Sequence, residues 1–442
     1  QFGEQLRARA AQYSWDRVAA DYRDLCRDLS DGYRMPKVSG RRQRPGWRDS
    51  PTGRAPQRGA AVVAHPSPDM YGSDRVLLET MSALVNSGRR TILTVPGTGP
   101  LIAAATERGV EVDVCPAPIL RKAAMRPRGF IGLVGAAVRA WAPSRALLRD
   151  SKAELLLVNT LTIPLWIVLG RLSVIRVICQ VHEEGASQSA GVRRVPYAPL
   201  LLADQLVVNS QFSLEVLAAS WPQLRRRAKV VYNGVPGPEL AGFPPRPDVS
   251  GAPRLLFVGR LSPRKGPQVA VAALAELRAR GMDAQLGLLG SVFPGYEWFE
   301  DELRSQVASL GLVDHVVFYG FDPAIWDHLA QADIVCVPST VDEPFGNTAV
   351  EAILAQRPLV VSRTSGLKEA AGGYESVRFV APGDPVAIAD AVQDLVDNWA
   401  EVRASTPEDR RLAVERHDPS TYQYEVLNAL GVVISAEAER ER

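Results

Sequence analysis

Short apolar runs alternate with segments of helical period along most of this chain. The runs are three to eight residues long and rich in valine, isoleucine and leucine, which is typical of strands buried on both faces of a sheet. In the first half they lie at 60–64, 91–95, 110–115, 155–158, 174–181, 206–208 and 230–232. Strands separated by helical segments predict an α/β fold with parallel, doubly wound sheets.

A second series of runs follows a break rich in glycine and proline. The break extends from Asn233 to Pro253, and the later runs lie at 254–258, 286–289, 316–319, 334–337, 359–361 and 377–380. Because glycine and proline interrupt both sheets and helices, we predict two domains, 58–240 and 241–405. A final helix from about Arg410 to Leu430, within a segment 406–442, is predicted to cross back to the first domain.

Residues 1–57 differ in composition from both predicted domains. Residues 1–29 have the apolar spacing of an amphipathic helix, whereas residues 34–58 are basic, rich in proline and glycine, and without an apolar period. The second stretch is therefore predicted to be a solvated linker.

The segment from Ser339 to Glu351 carries the clearest candidate chemistry. It follows a predicted buried strand, turns through Pro344 and Gly346, and enters a predicted helix that runs from Asn347, as its N-cap, to Gln356. A helix that begins at the carboxyl end of a parallel strand directs unpaired N–H groups towards bound anions. Glu343 and Glu351 flank this point and can accept hydrogen bonds from sugar hydroxyls. The arrangement suits a diphosphate with a sugar on each side.

A basic motif follows the first strand of the second predicted domain. It reads Gly259-Arg260-Leu-Ser-Pro-Arg-Lys265-Gly266. Arg260 can bind two oxygens of one phosphate, and Lys265 adds a point charge beside them. Both groups could stabilise a departing nucleoside diphosphate without a metal ion, and the sequence has no Asp-x-Asp metal motif in a suitable loop.

These two motifs together resemble the donor site of the group 1 (family 4) retaining glycosyltransferases of the GT-B superfamily. The similarity lies in Glu343-x7-Glu351 with Pro-Phe-Gly between, in Gly-Arg-Leu-x-x-x-Lys-Gly, and in the surrounding element pattern from about residue 60 to 430. The resemblance implies two Rossmann-like domains that face each other across a cleft. It also implies transfer of a hexose from a nucleotide-diphosphate sugar to a carbohydrate or lipid-linked glycan, with neither cofactor nor metal, in polysaccharide or cell-envelope synthesis.

The resemblance also implies roles for particular residues. Glu351 is expected on the ribose diol and Glu343 on the sugar hydroxyls, and the loop after the first strand is expected near the donor phosphates and the acceptor. His182 follows a predicted strand at the level of the transferred sugar, although a structural role for it stays open. The catalytic candidates are Arg260, Lys265, Glu343 and His182. The donor-binding candidates are Gly72, Ser73, Gly259, Arg260, Lys265, Phe321, Glu343, Pro344, Phe345, Gly346, Asn347, Thr348 and Glu351.

Net charge and cysteine usage bear on the class of partner and on the cellular compartment. A net charge of +2 gives no general case for nucleic acid as a partner. The four cysteines are scattered in sequence and fit buried apolar positions better than a disulfide framework or a zinc site. We therefore expect a cytoplasmic protein, with attachment to the inner face of the membrane as an open alternative.

Several alternatives stay open at this stage. Residues 121–149 combine arginines with an apolar face, which is typical of a helix packed on its sheet and also of a helix lying on anionic lipid. Residues 10–22 resemble the closing helix of a group 1 glycosyltransferase, so an upstream domain of that kind and a docking helix are both compatible with the sequence. A sugar-nucleotide epimerase or hydrolase, and a non-catalytic scaffold, would share the GT-B fold.

Overall fold

The computed structural model describes residues 59–70, 72–120, 127–182, 190–238, 243–249, 251–293 and 295–432. These residues belong to one compact unit. The predictions for residues 1–57 lie outside this part of the chain, as does the expectation that Glu183 and Glu184 raise the proton affinity of His182 or bind acceptor hydroxyls. Within it, no helix is both long and apolar enough to cross a membrane.

The first half of the described chain forms a seven-stranded sheet in which all neighbouring strands are parallel. The strand order is β3-β2-β1-β4-β5-β6-β7, and Val62 of β1 pairs with Ile92 on one side and Leu156 on the other. The strands are Ala60–Ala64 (β1), Thr91–Val95 (β2), Glu111–Val114 (β3), Ala153–Val158 (β4), Arg176–Val181 (β5), Gln205–Val208 (β6) and Ala228–Val230 (β7).

The second half forms a six-stranded sheet, also parallel throughout, with the order β10-β9-β8-β11-β12-β13. Its strands are Arg254–Val258 (β8), Gln285–Leu289 (β9), Val316–Gly320 (β10), Ile334–Val337 (β11), Leu359–Ser362 (β12) and Val377–Val380 (β13). The two sheets and their intervening helices confirm the predicted α/β class. The division at 58–240, 241–405 and 406–442 stays a prediction.

Helices connect the strands in both halves. They are numbered here in chain order among the described residues. In the first half they are Gly72–Asn86 (α1), Pro100–Glu107 (α2), Pro127–Asp150 (α3), Pro164–Leu172 (α4), Ala190–Tyr197 (α5) and Gln211–Ser220 (α6), with short 3₁₀ turns at Ala198–Leu202 and Pro222–Arg227. Later in the chain they are Pro267–Ala279 (α7), Glu297–Ser309 (α8), Ile325–Gln331 (α9), Asn347–Leu354 (α10), Ser365–Ala371 (α11), Pro385–Asp397 (α12), Trp399–Arg416 (α13) and Pro419–Leu430 (α14).

Both faces are buried at the inner strands of each sheet, which explains their uninterrupted apolar runs, whereas the edge strands β3 and β10 are largely exposed. In β1, Val62 packs in a core cluster on one face and Val63 in a separate cluster on the other. In β8, Phe257 and Leu256 divide between two clusters in the same way. Cys115, Cys179 and Cys336 are buried, as predicted.

The C-terminal end of the described chain contains two helices where one was predicted. Helix α13 ends at Arg416, and α14 begins at Pro419 with the Asp418 carboxylate accepting a hydrogen bond of 2.7 Å from the Thr421 N–H. The single-helix prediction was wrong because Pro419 lacks the N–H that would continue α13 and is instead suited to a first helical turn. Helix α14 packs beside α1, and Tyr422 lies in the core of the first sheet.

Helix α3 buries only one narrow stripe. Ala140, Ser144 and Leu148 are buried, one turn apart, whereas Ile131 and Val138 are 71% and 70% exposed. The prediction that this helix packs on its sheet therefore holds for the stripe of Ala140, Ser144 and Leu148 and not for Ile131 and Val138.

Candidate donor-binding site

Each sheet has one position where the order of its strands reverses. Both candidate motifs follow the two strands that meet at this position in the second sheet. In the second sheet the reversal falls between β8 and β11, the strands that precede Gly259 and Ser339 respectively. In the first sheet it falls between β1 and β4. Loops diverge from such a point at the carboxyl ends of the strands, which leaves the crevice where open α/β sheets bind ligands.

The structure brings Lys265 and Glu343 together. The Lys265 Nζ lies 2.9 Å from the Glu343 Oε2, and the Ser339 hydroxyl donates to the other carboxylate oxygen at 2.9 Å. Glu343 is only 6% exposed, so these two donors satisfy a carboxylate that is largely withdrawn from water.

The glycine of the basic motif allows this approach. Gly266 has a φ of +77°, and a Cβ at this position would lie 2.0 Å from the Pro338 carbonyl oxygen. Only glycine combines that backbone conformation with such a close contact. The Lys-Gly pair therefore places the ammonium group of Lys265 against the loop that carries Glu343.

Glu351 lies one turn into α10 and is 8% exposed. Burial raises the pKa of its carboxyl group, while Arg75 and Lys265 act in the opposite direction. The Arg75 guanidinium lies 3.7 Å from the Glu351 Oε1 and also donates to the Pro323 carbonyl at 3.2 Å. Arg75 belongs to α1 of the first sheet, so this contact links the two halves of the molecule.

Asn347 was predicted as the N-cap of α10, and this prediction was wrong. Gly346 occupies the cap position with a φ of 129°, a value that side chains rarely tolerate, and a Cβ there would lie 2.3 Å from Leu367. The Asn347 side chain instead donates to the Gly72 carbonyl at 3.1 Å and accepts from Asn233 at 2.8 Å. Its role in this structure is to join the loop from Ser339 to Gly346, called the donor loop here after its predicted role, to the first half of the molecule.

Gly72 and Ser73 lie in the first turn of α1. Both residues are exposed, and the Ser73 hydroxyl donates to Asp74 at 3.3 Å. This placement leaves the start of a helix beside the donor loop, where its N–H groups favour negative charge.

The other donor-site candidates are more dispersed. Arg260 lies with its guanidinium carbon 3.3 Å from the centre of the Phe293 ring, and Gly259 donates its N–H to Leu289 at 2.9 Å. Phe321 is 54% exposed just after β10, whereas the Phe345 side chain is buried in the core.

The remaining candidates lie in and after the donor loop. The Pro344 carbonyl accepts a hydrogen bond from the hydroxyl of Ser210, at the start of α6. Thr348 is partly buried in the first turn of α10.

His182 directly follows β5 and is partly buried. Its Nε2 lies 3.0 Å from the Asn159 Oδ1. Burial, and then the nearby His65, lowers the pKa of His182 to about 4, while Asp74 acts in the opposite direction. The ring is therefore neutral near pH 7.

Sequence reasoning missed Arg75, Asn159 and His65. Their positions could have been recognised from the strand and helix assignments. His65 and Asn159 are the first residues after β1 and β4, and Arg75 is in the first turn of α1. The residue after each predicted parallel strand is a candidate for the ligand-binding edge of the sheet.

The fold defines the class of protein. The structure of HepE from Anabaena in complex with UDP-glucose superposes with a TM-score of 0.70 over 85% of this chain and 100% of that one, at 20% identity. The lipopolysaccharide glycosyltransferase WaaG gives 0.62 over 84% and 100%, at 14% identity. The chain has the GT-B fold.

Part of the sequence matches a known family. Residues 245–411 match the family described as glycosyl transferases group 1, so this part of the chain carries the domain of that family. The D-inositol 3-phosphate glycosyltransferase of Acidothermus cellulolyticus is 33% identical over 232 residues, 48% of this chain and 50% of that protein. The phosphatidyl-myo-inositol mannosyltransferase of Mycobacterium leprae is 30% identical over 263 residues, 53% and 66% respectively. The chain thus matches about half to two thirds of the length of these relatives.

Proposed function

We propose that this protein is a metal-independent retaining glycosyltransferase that transfers a hexose from a nucleotide-diphosphate sugar to a carbohydrate or lipid-linked glycan. The observation that carries the proposal is the arrangement at the β8/β11 reversal, where Lys265 contacts a buried Glu343 and Glu351 lies buried one turn into α10. Two buried carboxylates beside cationic groups and a helix start form a site for a diphosphate flanked by hydroxyl-bearing sugars.

Each residue has an assigned task in this proposal. Glu351 accepts from the ribose diol, Glu343 accepts from hydroxyls of the transferred sugar, and Arg260 and Lys265 bind the diphosphate. The bond between the anomeric carbon and the phosphate oxygen breaks while the acceptor oxygen attacks the same face. The acceptor proton passes to the departing diphosphate, so no nucleophile from the protein is required. Closure of the two halves excludes water.

The names of the relatives support this assignment. The curated relatives reported above are named as glycosyltransferases, and HepE was crystallised with UDP-glucose. Inositol phosphates and lipid-linked inositol are therefore reasonable first acceptors, and we propose a role in cell-envelope or polysaccharide synthesis.

Product analysis distinguishes a glycosyltransferase from a sugar-nucleotide hydrolase or epimerase. The full chain is incubated with each nucleotide sugar, with and without a panel of inositol phosphates and lipid-linked saccharides, and the products are separated and their anomeric configuration is determined by NMR. We expect a glycoside with the donor's anomeric configuration that forms only when an acceptor is present. Free sugar released equally without acceptor would indicate a hydrolase. A new sugar nucleotide would indicate an epimerase.

Contact with an anionic membrane is a further part of the proposal. Ile131, Val134, Val138 and Trp141 are exposed along one stripe of α3, and Arg145 continues the stripe one turn later. Exposed apolar side chains followed by a cation are typical of a helix that lies on anionic lipid.

The stripe can be tested by sedimentation with liposomes that contain anionic phospholipid. We expect the wild-type chain to pellet with these liposomes and less so at high salt, because part of the attraction is electrostatic. The double substitution Ile131→Ser and Val138→Ser should lower the bound fraction severalfold, whereas Val313→Ser, at a residue 65% exposed near the second sheet, should not. Binding that is unchanged by the α3 substitutions would contradict this part of the proposal.

A further inference from the structure

Four polar side chains form a continuous series of contacts at the carboxyl edge of the first sheet. His65, Asn159 and His182 are the first residues after β1, β4 and β5, which are neighbouring strands, and Asp74 reaches them from the first turn of α1. The His65 Nε2 lies 3.0 Å from the Asp74 Oδ1. The Asn159 Nδ2 lies 3.1 Å from the His65 Nδ1, and the Asn159 Oδ1 lies 3.0 Å from the His182 Nε2.

The direction of each hydrogen bond follows from the carboxylate at one end. An ionised Asp74 offers only lone pairs. The His65 Nε2 lies 3.0 Å from its Oδ1 in an ion-pair contact whose geometry is not that of a hydrogen bond, so it is the charge of the carboxylate that favours the ring proton on this nitrogen. The other nitrogen of a neutral His65 then carries a lone pair and accepts from the Asn159 amide N–H. The remaining Asn159 atom is the carbonyl oxygen, which accepts from the His182 Nε2–H. In the neutral His182 ring, Nδ1 can then act only as an acceptor.

The chain of contacts runs from the interior to the crevice. His65, Asp74 and Asn159 are buried, whereas His182 is only partly buried. The contact between His65 and Asn159 also spans the β1/β4 reversal, where a sheet of this kind binds its ligand. A network that served only to satisfy buried polar groups would have no reason to end on a partly exposed imidazole at this edge.

We propose that Asp74, His65 and Asn159 are positioning residues that fix the tautomer of His182, so that its Nδ1 accepts a hydrogen bond from a hydroxyl of the transferred sugar. The inference deepens the proposed function and rests on it for the identity of the hydroxyl. The tautomer itself is a property of the ligand-free protein. It can therefore be measured whether or not a sugar is transferred.

Nitrogen NMR of histidine-labelled protein tests the tautomer directly. The chain has five histidines, and the signals of His182 are identified by their loss in His182→Gln. We expect a protonated Nε2 and an unprotonated Nδ1 for His182 in the wild type. Asp74→Asn should shift these signals towards a mixture of tautomers, because an amide can donate as well as accept. A protonated Nδ1 in the wild type, or His182 signals unchanged by Asp74→Asn, would overturn the proposal.

A second variant distinguishes a change of tautomer from a general loss of structure. Asn159→Asp keeps an acceptor oxygen facing the His182 Nε2, so we expect the wild-type tautomer of His182 to persist in it. Opposite outcomes for the two substitutions cannot come from destabilisation alone. Loss of the tautomer in Asn159→Asp from a folded sample would contradict the assigned order of donors and acceptors.

Steady-state kinetics then connect the tautomer to turnover. Asp74→Asn should lower kcat about tenfold, and it should cost nothing further in a His182→Gln background, because residues that act through one another are not additive. Asp113→Asn changes an exposed carboxylate on the same sheet and should leave kcat unchanged. Equal losses from Asp74→Asn in both backgrounds would overturn the positioning role. Absence of transfer by the wild type, with the expected NMR result, would contradict the proposed function and not the tautomer.

Discussion

Lys265→Ala should lower kcat by about two to three orders of magnitude, which is the usual cost of removing one group aimed at charge that develops in a transition state. In the proposed reaction the diphosphate gains charge as it departs, and Lys265 is the ammonium group beside the carboxylate that holds the sugar. Release of nucleoside diphosphate in a coupled assay, at saturating donor, measures this effect.

The same substitution should have a much smaller effect on folding. Glu343 keeps the hydrogen bond from Ser339 when Lys265 is removed, so we expect a loss of roughly 1–3 kcal/mol in the free energy of unfolding. Lys229→Ala, at an exposed lysine of β7, is the matched control and should change neither quantity. Wild-type turnover by a folded Lys265→Ala sample would refute the role assigned to this residue.

Glu351→Gln should raise the donor dissociation constant about 10- to 100-fold, because hydrogen bonds to a charged acceptor contribute roughly 1.5–3 kcal/mol. The same substitution should not lower the free energy of unfolding of the ligand-free protein. Burial raises the pKa of this carboxyl group, and Arg75 approaches it only to 3.7 Å, so the ionised side chain is poorly compensated without donor. Calorimetric titration and denaturant unfolding of the same samples measure the two effects.

Loss of affinity without loss of stability is the signature of a residue kept for binding. Glu401→Gln, at an exposed glutamate of α13, should alter neither affinity nor stability. A Glu351→Gln protein that binds donor as tightly as the wild type would remove Glu351 from the ribose site.

The sheets and the donor loop could be predicted because their signals are local. A strand buried on both faces must be apolar throughout, so β1 and β8 were visible as short runs. The loop that holds Glu343 follows such a run and precedes a helical period. The basic motif likewise follows β8 directly, and the structure places Lys265 against Glu343.

The errors arose where two local signals compete. Both Gly346 and Asn347 are acceptable cap residues, so the sequence alone does not rank them. In the structure Gly346 takes the cap position, where a Cβ would lie 2.3 Å from Leu367, a residue distant in sequence. In α3 the period shows two stripes, and the buried one carries the small residues Ala140 and Ser144. Helical period alone does not reveal which stripe faces the sheet.

The contacts among the positioning residues could not be predicted from the sequence, although His65 and Asn159 were recognisable as the first residues after predicted strands. His65, Asn159 and His182 are far apart in the chain, and they meet only because β1, β4 and β5 are neighbours in the sheet. Asp74 adds a fourth contact from α1. Strand order was therefore required before any of these contacts could be inferred.

Titration calorimetry of the full chain with UDP, GDP, dTDP and ADP tests the central claim, a nucleotide-sugar site at the β8/β11 reversal. The proposal predicts that one nucleotide binds in preference to the others and that its affinity falls sharply in Glu351→Gln but not in Glu401→Gln. The preferred base would also narrow the choice of sugar. If a folded wild-type chain binds none of the four, or binds one with an affinity that Glu351→Gln leaves unchanged, the donor site proposed here is contradicted.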